Sequence, residues 1–358
     1  MWPRGGRVHA HAVDLEPHTE WSGAWRMVAA TVRGLSATPK GMLEGALLAS
    51  SCGRAATRGR NLAILPRAAA LVDVIRRRRP DHLHVHWGGA SSTMAMIASE
   101  ATGTPWSMTL HRWDIYADNL LARKLDSACF TRVISNSSAA RVASMVPGAN
   151  VEVIHMGIEV PPERVPLQRP EPRERRLACI ASLIPVKNHA GLLRAFQTIA
   201  FEHDLALDLV GDGPLRPRLA ALVTELGLDD RVRFLGTLAH EQILRKLGSG
   251  DWFAVVLASV ASADEHEGIP VSLMEAMAAG VPVVATDSGG TSELVGGGAG
   301  LLVPVGDVDA LADALRGIVS DQNIRSSASE GGRRRVAESF DVDVIAAELR
   351  RRFSACAT

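Results

Sequence analysis

From Leu177 onward the chain alternates short apolar runs with amphipathic runs at a regular spacing. Strands are read at 177–183, 205–210, 231–235 and 252–257, and helices at 189–202, 215–226 and 240–248. Short apolar runs bounded by glycine turns predict buried strands, and the longer runs between them repeat their apolar positions at helical spacing. A parallel sheet wound on both faces by right-handed crossover helices satisfies that order. In such a sheet ligands bind at the carboxyl ends of the strands, so the turns there carry the functional argument.

After the last of these strands comes Glu267-Gly268-Ile269-Pro270-Val271-Ser272-Leu273-Met274-Glu275, continuing to Gly280-Val281-Pro282. Its second half reads as a short helix. Pro270 sits near the first turn, Gly280 follows the last turn, and Pro282 blocks continuation. Glu267 therefore falls in the loop before the helix and Glu275 in its second turn. Between them the helix start, Gly268 to Ser272, brings backbone N–H groups and the positive end of the helix dipole to one place, which suits a phosphate or diphosphate. Two carboxylates flanking such a start are laid out for a nucleotide sugar, one facing the sugar and the other accepting from ribose hydroxyls.

A length of 358 residues suggests two domains, and 47% hydrophobic residues suffice for proper cores. Thirty-nine basic residues balance thirty-nine acidic ones, so no global electrostatic argument supports nucleic acid. Cys52, Cys129, Cys179 and Cys356 fall at no metal-type spacing and suggest no disulfide framework. That reads as a reducing, cytoplasmic setting. No apolar run reaches membrane-spanning length, and Met1-Trp2-Pro3-Arg4 has no apolar signal core behind it.

The first half is less regular. Val8–Val13 alternates as a strand, and a helix is expected over Trp21–Leu35, with Thr19 or Ser22 near its start. Residues 61–79 predict one helix with Leu62, Leu65, Ala69, Val72 and Ile75 on a single face. It ends in four arginines, Arg76 to Arg79, before Pro80. They read either as a solvated helix end favoured by the dipole or as a contact for anionic lipid headgroups. The strand at 81–87 carries His82, His84 and His86 on one face and runs into Gly88-Gly89. A metal site and the edge of an α/β ligand site are both open readings there. A helix over Ser91–Thr102 and a strand over Pro105–Leu110 follow, then His111-Arg112-Trp113-Asp114. Further elements are a strand at Val133–Ser137, a helix at Ser138–Val146, a strand at Val151–Ile158 and a Pro- and Arg-rich linker over 161–175. The tail predicts a strand at Gly300–Pro304, helices at 307–319 and 324–338, and a terminal helix ending near Phe353.

The two acids spaced by seven residues, continued by Pro-Val-Val-Ala-Thr-Asp-Ser-Gly-Gly over 282–290, resemble the retaining glycosyltransferases of family four. The stretch His82 to Asp114 resembles the branch of that family that makes bacterial exopolysaccharides and lipopolysaccharides. The resemblance implies the GT-B fold, two Rossmann-like doubly wound domains facing a cleft, with a C-terminal helix crossing back to the first. The expected bounds are 1–160 for an acceptor-side domain, 161–175 for the linker, 176–338 for the nucleotide-sugar domain and 339–358 for the crossing helix. It also implies transfer of a sugar from a UDP- or GDP-linked donor to a glycan or lipid-linked acceptor with retention, needing no cofactor and no metal. A place in the cytoplasm, at or near the inner face of the plasma membrane, goes with it.

By the same resemblance Glu267 and His111 meet the donor sugar, Lys187 and the helix start hold the diphosphate, and Glu275 holds the ribose. Gly211 and Gly213 allow close backbone approach, and the strand containing Leu235 meets the base. His155-Met156-Gly157 would run into the cleft. Two departures stand out. Position 182 is Ser where the family commonly has Arg, and Val8–Val13 resembles the family's second strand more than its first. The first sheet is therefore expected to lack a central strand, with donor binding retained and transfer weak. A binding protein without transfer, a nucleotide-sugar epimerase of similar fold and a metal hydrolase using His82, His84 and His86 are the alternatives.

Overall fold

A computed structural model describes residues 24–161, 175–260 and 268–356. The expected strand at Val8–Val13, most of the linker and Glu267 lie outside those residues. By contact pattern the chain forms two compact units: Met1–Ile134 with Ser138–Val153 and Leu349–Thr358, and Ser135–Ser137 with Ile154–Glu348.

The first unit opens with four helices, α1 (Ala24–Ala37), α2 (Pro39–Ser50), α3 (Ala55–Ala63) and α4 (Leu65–Arg78). The single helix expected over 61–79 is two. Pro66 lies in the first turn of α4, where its missing N–H costs nothing, so the helix restarts there. Ala69, Val72 and Ile75 are buried as expected, whereas Leu62 is on the far side of the break and exposed. Next come β1 (Leu83–His86), α5 (Ala90–Thr102), β2 (Trp106–Leu110), α6 (Arg112–Ala117), α7 (Leu121–Ser127), β3 (Thr131–Val133), α8 (Asn136–Met145) and β4 (Val151–Val153). The four strands are parallel and lie in the order β1-β2-β3-β4.

Two strand expectations need correction. β3 covers 131–133, because Asn136 already opens α8. β4 stops at Val153, because the chain then pairs elsewhere: Ile158 donates to Phe340 O at 2.9 Å and accepts from the Val342 N–H at 2.9 Å.

The second unit follows the sequence closely. Its elements are β5 (Arg176–Ile180), α9 (His189–Ala200), β6 (Ala206–Val210), α10 (Arg216–Glu225), β7 (Val232–Gly236), α11 (His240–Ser249), β8 (Ala254–Leu257) and α12 (Val271–Ala278). After these come β9 (Val283–Thr286), α13 (Thr291–Val295), β10 (Leu301–Val303), α14 (Val308–Ser320), α15 (Gln322–Ser339) and the start of α16 (Val342–Cys356), whose residues from Leu349 on belong to the first unit. Six parallel strands lie in the order β10-β9-β8-β5-β6-β7. β8 and β9 are buried throughout, as strands covered by helices on both faces must be.

The amino edge of this sheet is pinned by one carboxylate. Asp208 accepts from Arg176 at 3.0 Å, Arg233 at 3.2 Å and the buried Trp252 indole at 2.9 Å, joining β5, β6, β7 and the approach to β8. A buried acid with three donors is satisfied and fixes register. At the tail, Asp343 is a first-turn acid of α16, and its N–H donates to Asp341 at 2.7 Å. That pair is helix-start chemistry.

Candidate active site

The second sheet reverses its winding between β5 and β8. From β5 the chain steps to β6 and β7, then returns with β8 on the other side of β5 and continues to β9 and β10. The loops leaving β5 and β8 therefore diverge at the carboxyl edge, the place where such sheets bind ligands. A hydrogen bond from the Val260 N–H to Val186 O, at 2.8 Å, joins the two loops.

The loop after β5 contains a single 3-10 turn, Pro185–Lys187, which leaves Lys187 half-buried at its end. Asn188 follows at φ 47° and caps α9 by accepting from the Gly191 N–H at 3.2 Å. Behind it His189 is buried, with neither ring nitrogen bonded to protein, and burial together with Lys187 lowers its pKa to about 4.

The loop after β8 delivers Gly268, Ile269 and Pro270 to the start of α12. Ile269 and Pro270 are buried there, while Val271 is exposed and Ser272 half-exposed in the first turn. Pro270 is the residue before the helix, and its carbonyl accepts from Leu273 at 3.1 Å. Gly280 follows the helix at φ 69°. Glu275 lies in the second turn and bonds His240 Nε2 at 2.7 Å. Its side chain is only 12% exposed, whereas that of His240 is 63% exposed.

The glycine turns are required by backbone crowding. A Cβ on Gly211, whose φ is 136°, would sit 2.2 Å from Ala181 O, and one on Gly213 would sit 2.6 Å from Leu183 O. The Gly211 N–H donates to Gly236 O at 2.8 Å, beside half-buried Leu235. Lys187, the α12 start, Gly211, Gly213 and Leu235 thus share one edge of one sheet.

Sequence reading missed two residues here. Arg216 and His240 stand in the first turns of α10 and α11, and the Arg216 guanidinium lies 5.6 Å from the Phe234 ring centroid. A cation in a first turn opposes the helix dipole, which is the signal that could have found Arg216. It supplies a cation at the edge where Ser182 does not.

In the first unit the carboxyl end of β2 places His111 just ahead of α6. Its N–H donates to Asp114 at 2.8 Å, and its ring stacks on Trp87 with centroids 4.3 Å apart. Burial lowers the His111 pKa, and Arg132 adds to the shift while Asp114 opposes it. Trp87, at φ 79°, is a bulky residue in the left-handed region, where strain is stored at functional sites. The turn after it is held by a residue no pattern announced. Lys124 is fully buried on α7 and donates to Gly88 O at 2.8 Å and Gly89 O at 2.9 Å. Burial lowers its pKa to about 7, against a smaller opposing pull from Asp114 and Cys52.

The histidine strand is explained by its neighbours. His84 bonds Ser107 at 2.7 Å and Thr109 at 2.9 Å, so both of its ring nitrogens are engaged. Among the described residues the three histidines do not group as metal ligands; His82 groups instead with Cys129 and Cys356. His155 bonds Glu293 at 3.0 Å and stacks on Phe340 with centroids 4.7 Å apart, both within the second unit.

The chain is matched by two family models, a glycosyl transferase 4-like domain over residues 3–168 and glycosyl transferases group 1 over residues 165–335. A GDP-mannose-dependent alpha-(1-6)-phosphatidylinositol monomannoside mannosyltransferase of Mycobacterium tuberculosis is 30% identical over 300 residues, 78% of each chain. The N-acetyl-alpha-D-glucosaminyl L-malate synthase of Bacillus anthracis is 28% identical over 302 residues, 78% of this chain and 76% of that one. The protein belongs to the group 1 glycosyltransferases. HepE of Anabaena, solved with UDP and glucose, has the same fold, with a TM-score of 0.65, 23% identity and coverage of 81% and 82%. A glycosyltransferase of Rickettsia africae matches with a TM-score of 0.68, 18% identity and coverage of 82% and 81%. The GT-B fold is thereby shown.

Lys124 yields a pH prediction. Its folded pKa lies below the ordinary lysine value, so from about pH 7 upward the unfolded chain holds a proton that the folded chain has lost. Stability from this group is therefore fully present above the unfolded value and is lost as pH falls through the folded one. Lys124→Met keeps the stem and removes the donor to Gly88 O, costing about 1–3 kcal/mol. In urea titrations the advantage of the wild type over the variant should widen between pH 7 and 9, by roughly 1 kcal/mol per pH unit. An advantage that is flat or shrinks with pH would contradict the assignment.

Proposed function

We propose that this glycosyltransferase takes its sugar from a nucleoside diphosphate donor, UDP- or GDP-linked, bound at the carboxyl edge of the second sheet, and transfers it with retention of configuration. The observation that carries the reading is the strand-order reversal itself, with Lys187 in the loop after β5 and the α12 start in the loop after β8. A cationic side chain and a helix amino terminus together match a diphosphate, and they stabilise the charge that develops on it as the sugar leaves. Arg216 adds a second cation at the same edge. Glu275 accepts from the ribose hydroxyls, with His240 holding its carboxylate in place, and the β7 end at Leu235 and Gly236 lies against the base. By resemblance Glu267 and His111 are assigned to the donor sugar.

No cofactor enters this scheme, and protein cations take the part that a divalent ion plays in other diphosphate sites. The acceptor is a glycan or lipid-linked sugar of the bacterial cell surface. That assignment is supported by the names of relatives, among them the amylovoran biosynthesis glycosyltransferase AmsK of Erwinia amylovora, 33% identical over 181 residues.

A peripheral membrane contact goes with a lipid-linked acceptor. Trp25, Val28, Val32 and Leu35 form an exposed apolar stripe along α1, and Leu43 and Leu47 are exposed on α2. Arg76 donates to Ala37 O at 3.1 Å, which brings the basic end of α4 beside the end of α1. Apolar side chains beside a basic cluster suit an anionic bilayer surface. No described helix is long and apolar enough to cross a membrane.

Two measurements test these readings. Truncating Lys187 to Ala removes a charge-assisted partner of the diphosphate and should cost about 1.5–3 kcal/mol of UDP or GDP affinity by calorimetry. Glu275→Ala should cost a similar amount, and adding Mg²⁺ or Mn²⁺ to EDTA-treated protein should not tighten binding. Unchanged affinity in both variants would sink the site. Separately, the chain should sediment with phosphatidylglycerol vesicles and not with phosphatidylcholine, less so as salt rises, and Val28→Glu with Val32→Glu should abolish it. Equal binding to both vesicles, or to neither, would remove the membrane contact.

A further inference from the structure

Three side chains from distant stretches converge within the first unit. His82 precedes β1, Cys129 precedes β3, and Cys356 ends α16, yet one potential ligand atom from each lies within 4.8 Å of the other two. The sequence showed four scattered cysteines and a histidine strand; the fold alone brings these three together. They sit at the amino ends of the strands, away from His111 at the carboxyl end of β2.

The surroundings resemble those of a metal ligand set. His82 Nε2 is bonded to Ser107 Oγ at 2.7 Å, while Nδ1 is buried with no partner. A ligating histidine is commonly held this way, one nitrogen on an outer oxygen and the other on the ion. The rings of Phe130 and Phe353 lie 6.2 Å and 5.1 Å from the His82 ring and give the cluster an apolar wall. Cys129 is exposed, which gives an ion a way in.

Charge decides between ion types. Two thiolates and a neutral imidazole around a divalent cation sum to zero, the arrangement that burial tolerates best. Soft sulfur donors with imidazole select zinc over magnesium or calcium. Bonds of about 2.3 Å to sulfur and 2.0–2.1 Å to nitrogen put tetrahedral ligand atoms about 3.5–3.8 Å apart, so closing the cluster needs shifts on the order of 1 Å.

We propose that His82, Cys129 and Cys356 form a three-ligand zinc site that ties the last turn of α16 to the sheet of the first unit. Binding is a simple exchange. The Cys129 and Cys356 thiols each release a proton to solvent, the two sulfurs and His82 Nδ1 donate electron pairs to the cation, and water takes the fourth position.

The test uses the full chain, free of affinity tag and reduced with a phosphine. Anaerobic titration with Co²⁺ should reach one equivalent and give the thiolate-to-cobalt charge-transfer absorption and visible bands of a tetrahedral site. Zn²⁺ should displace it stoichiometrically and raise the melting temperature. Cys129→Ser and Cys356→Ser should each weaken binding at least about tenfold, the cost of losing even an outer partner. Cys52→Ser, at a buried cysteine outside the cluster, should change nothing. Cys356 ends its helix, so its variant should fold, as circular dichroism would verify. Absence of a thiolate–cobalt band, its persistence in the Cys129→Ser/Cys356→Ser double variant, or recovery of the pair only as a disulfide under oxidised glutathione would overturn the proposal.

Discussion

The strand order of the second unit is the constraint on which its function rests. A parallel sheet that winds outward from β5 in both directions must send the loops after β5 and β8 apart, and that divergence makes room for a ligand. Backbone crowding around the room is severe. Gly211 and Gly213 pack so close to the carbonyls of Ala181 and Leu183 that no side chain fits. At the opposite edge Asp208 gathers Arg176, Arg233 and Trp252 and fixes the register of the central strands. One edge is therefore closed by satisfied charge. The other presents Lys187, Arg216 and a helix start.

The first unit uses different means. Its four strands run in sequence order, so the described residues contain no reversal to open a comparable gap. What positions His111 is a layer of side chains around the Gly88-Gly89 turn: the Trp87 ring against the imidazole, Asp114 on its N–H, and Lys124 reaching the turn's carbonyls from below. His84 of β1 has both ring nitrogens engaged by Ser107 and Thr109 of β2. The metal-hydrolase alternative asked those same nitrogens to hold a metal.

How much of this was legible depends on how far local pattern carries. In the second unit apolar period and glycine punctuation agree with the final packing, and helix starts at His189 and His240 come out where the pattern put them. In the first unit the pattern fails for identifiable reasons. Gly41 and Gly45 look like breakers, yet both lie inside α2, where they let it approach Ala101 and Ile97 of α5. Gly34 does the same for α1 against the Ala69 carbonyl. Glycine used for close approach is indistinguishable in sequence from glycine used for a turn. Lys124 violates the polar-outside rule, and the His82, Cys129 and Cys356 cluster has no spacing at all, because the fold alone assembles it. The residues proposed for the nucleotide, Lys187, Glu275, Gly211, Gly213 and Leu235, come from resemblance and from turn position. Arg216 and His240 enter only once the sheet edge is drawn, although a first-turn cation opposing the helix dipole marks Arg216 in the sequence.

The proposed place of the nucleotide is the reversal between β5 and β8. Hydrogen–deuterium exchange on the full chain, with and without saturating UDP and separately GDP, reads that directly. At least one nucleotide should slow exchange in peptides covering 181–189, 211–216 and 268–275. Protection confined to the first unit, or none with either nucleotide at saturation, would contradict the account.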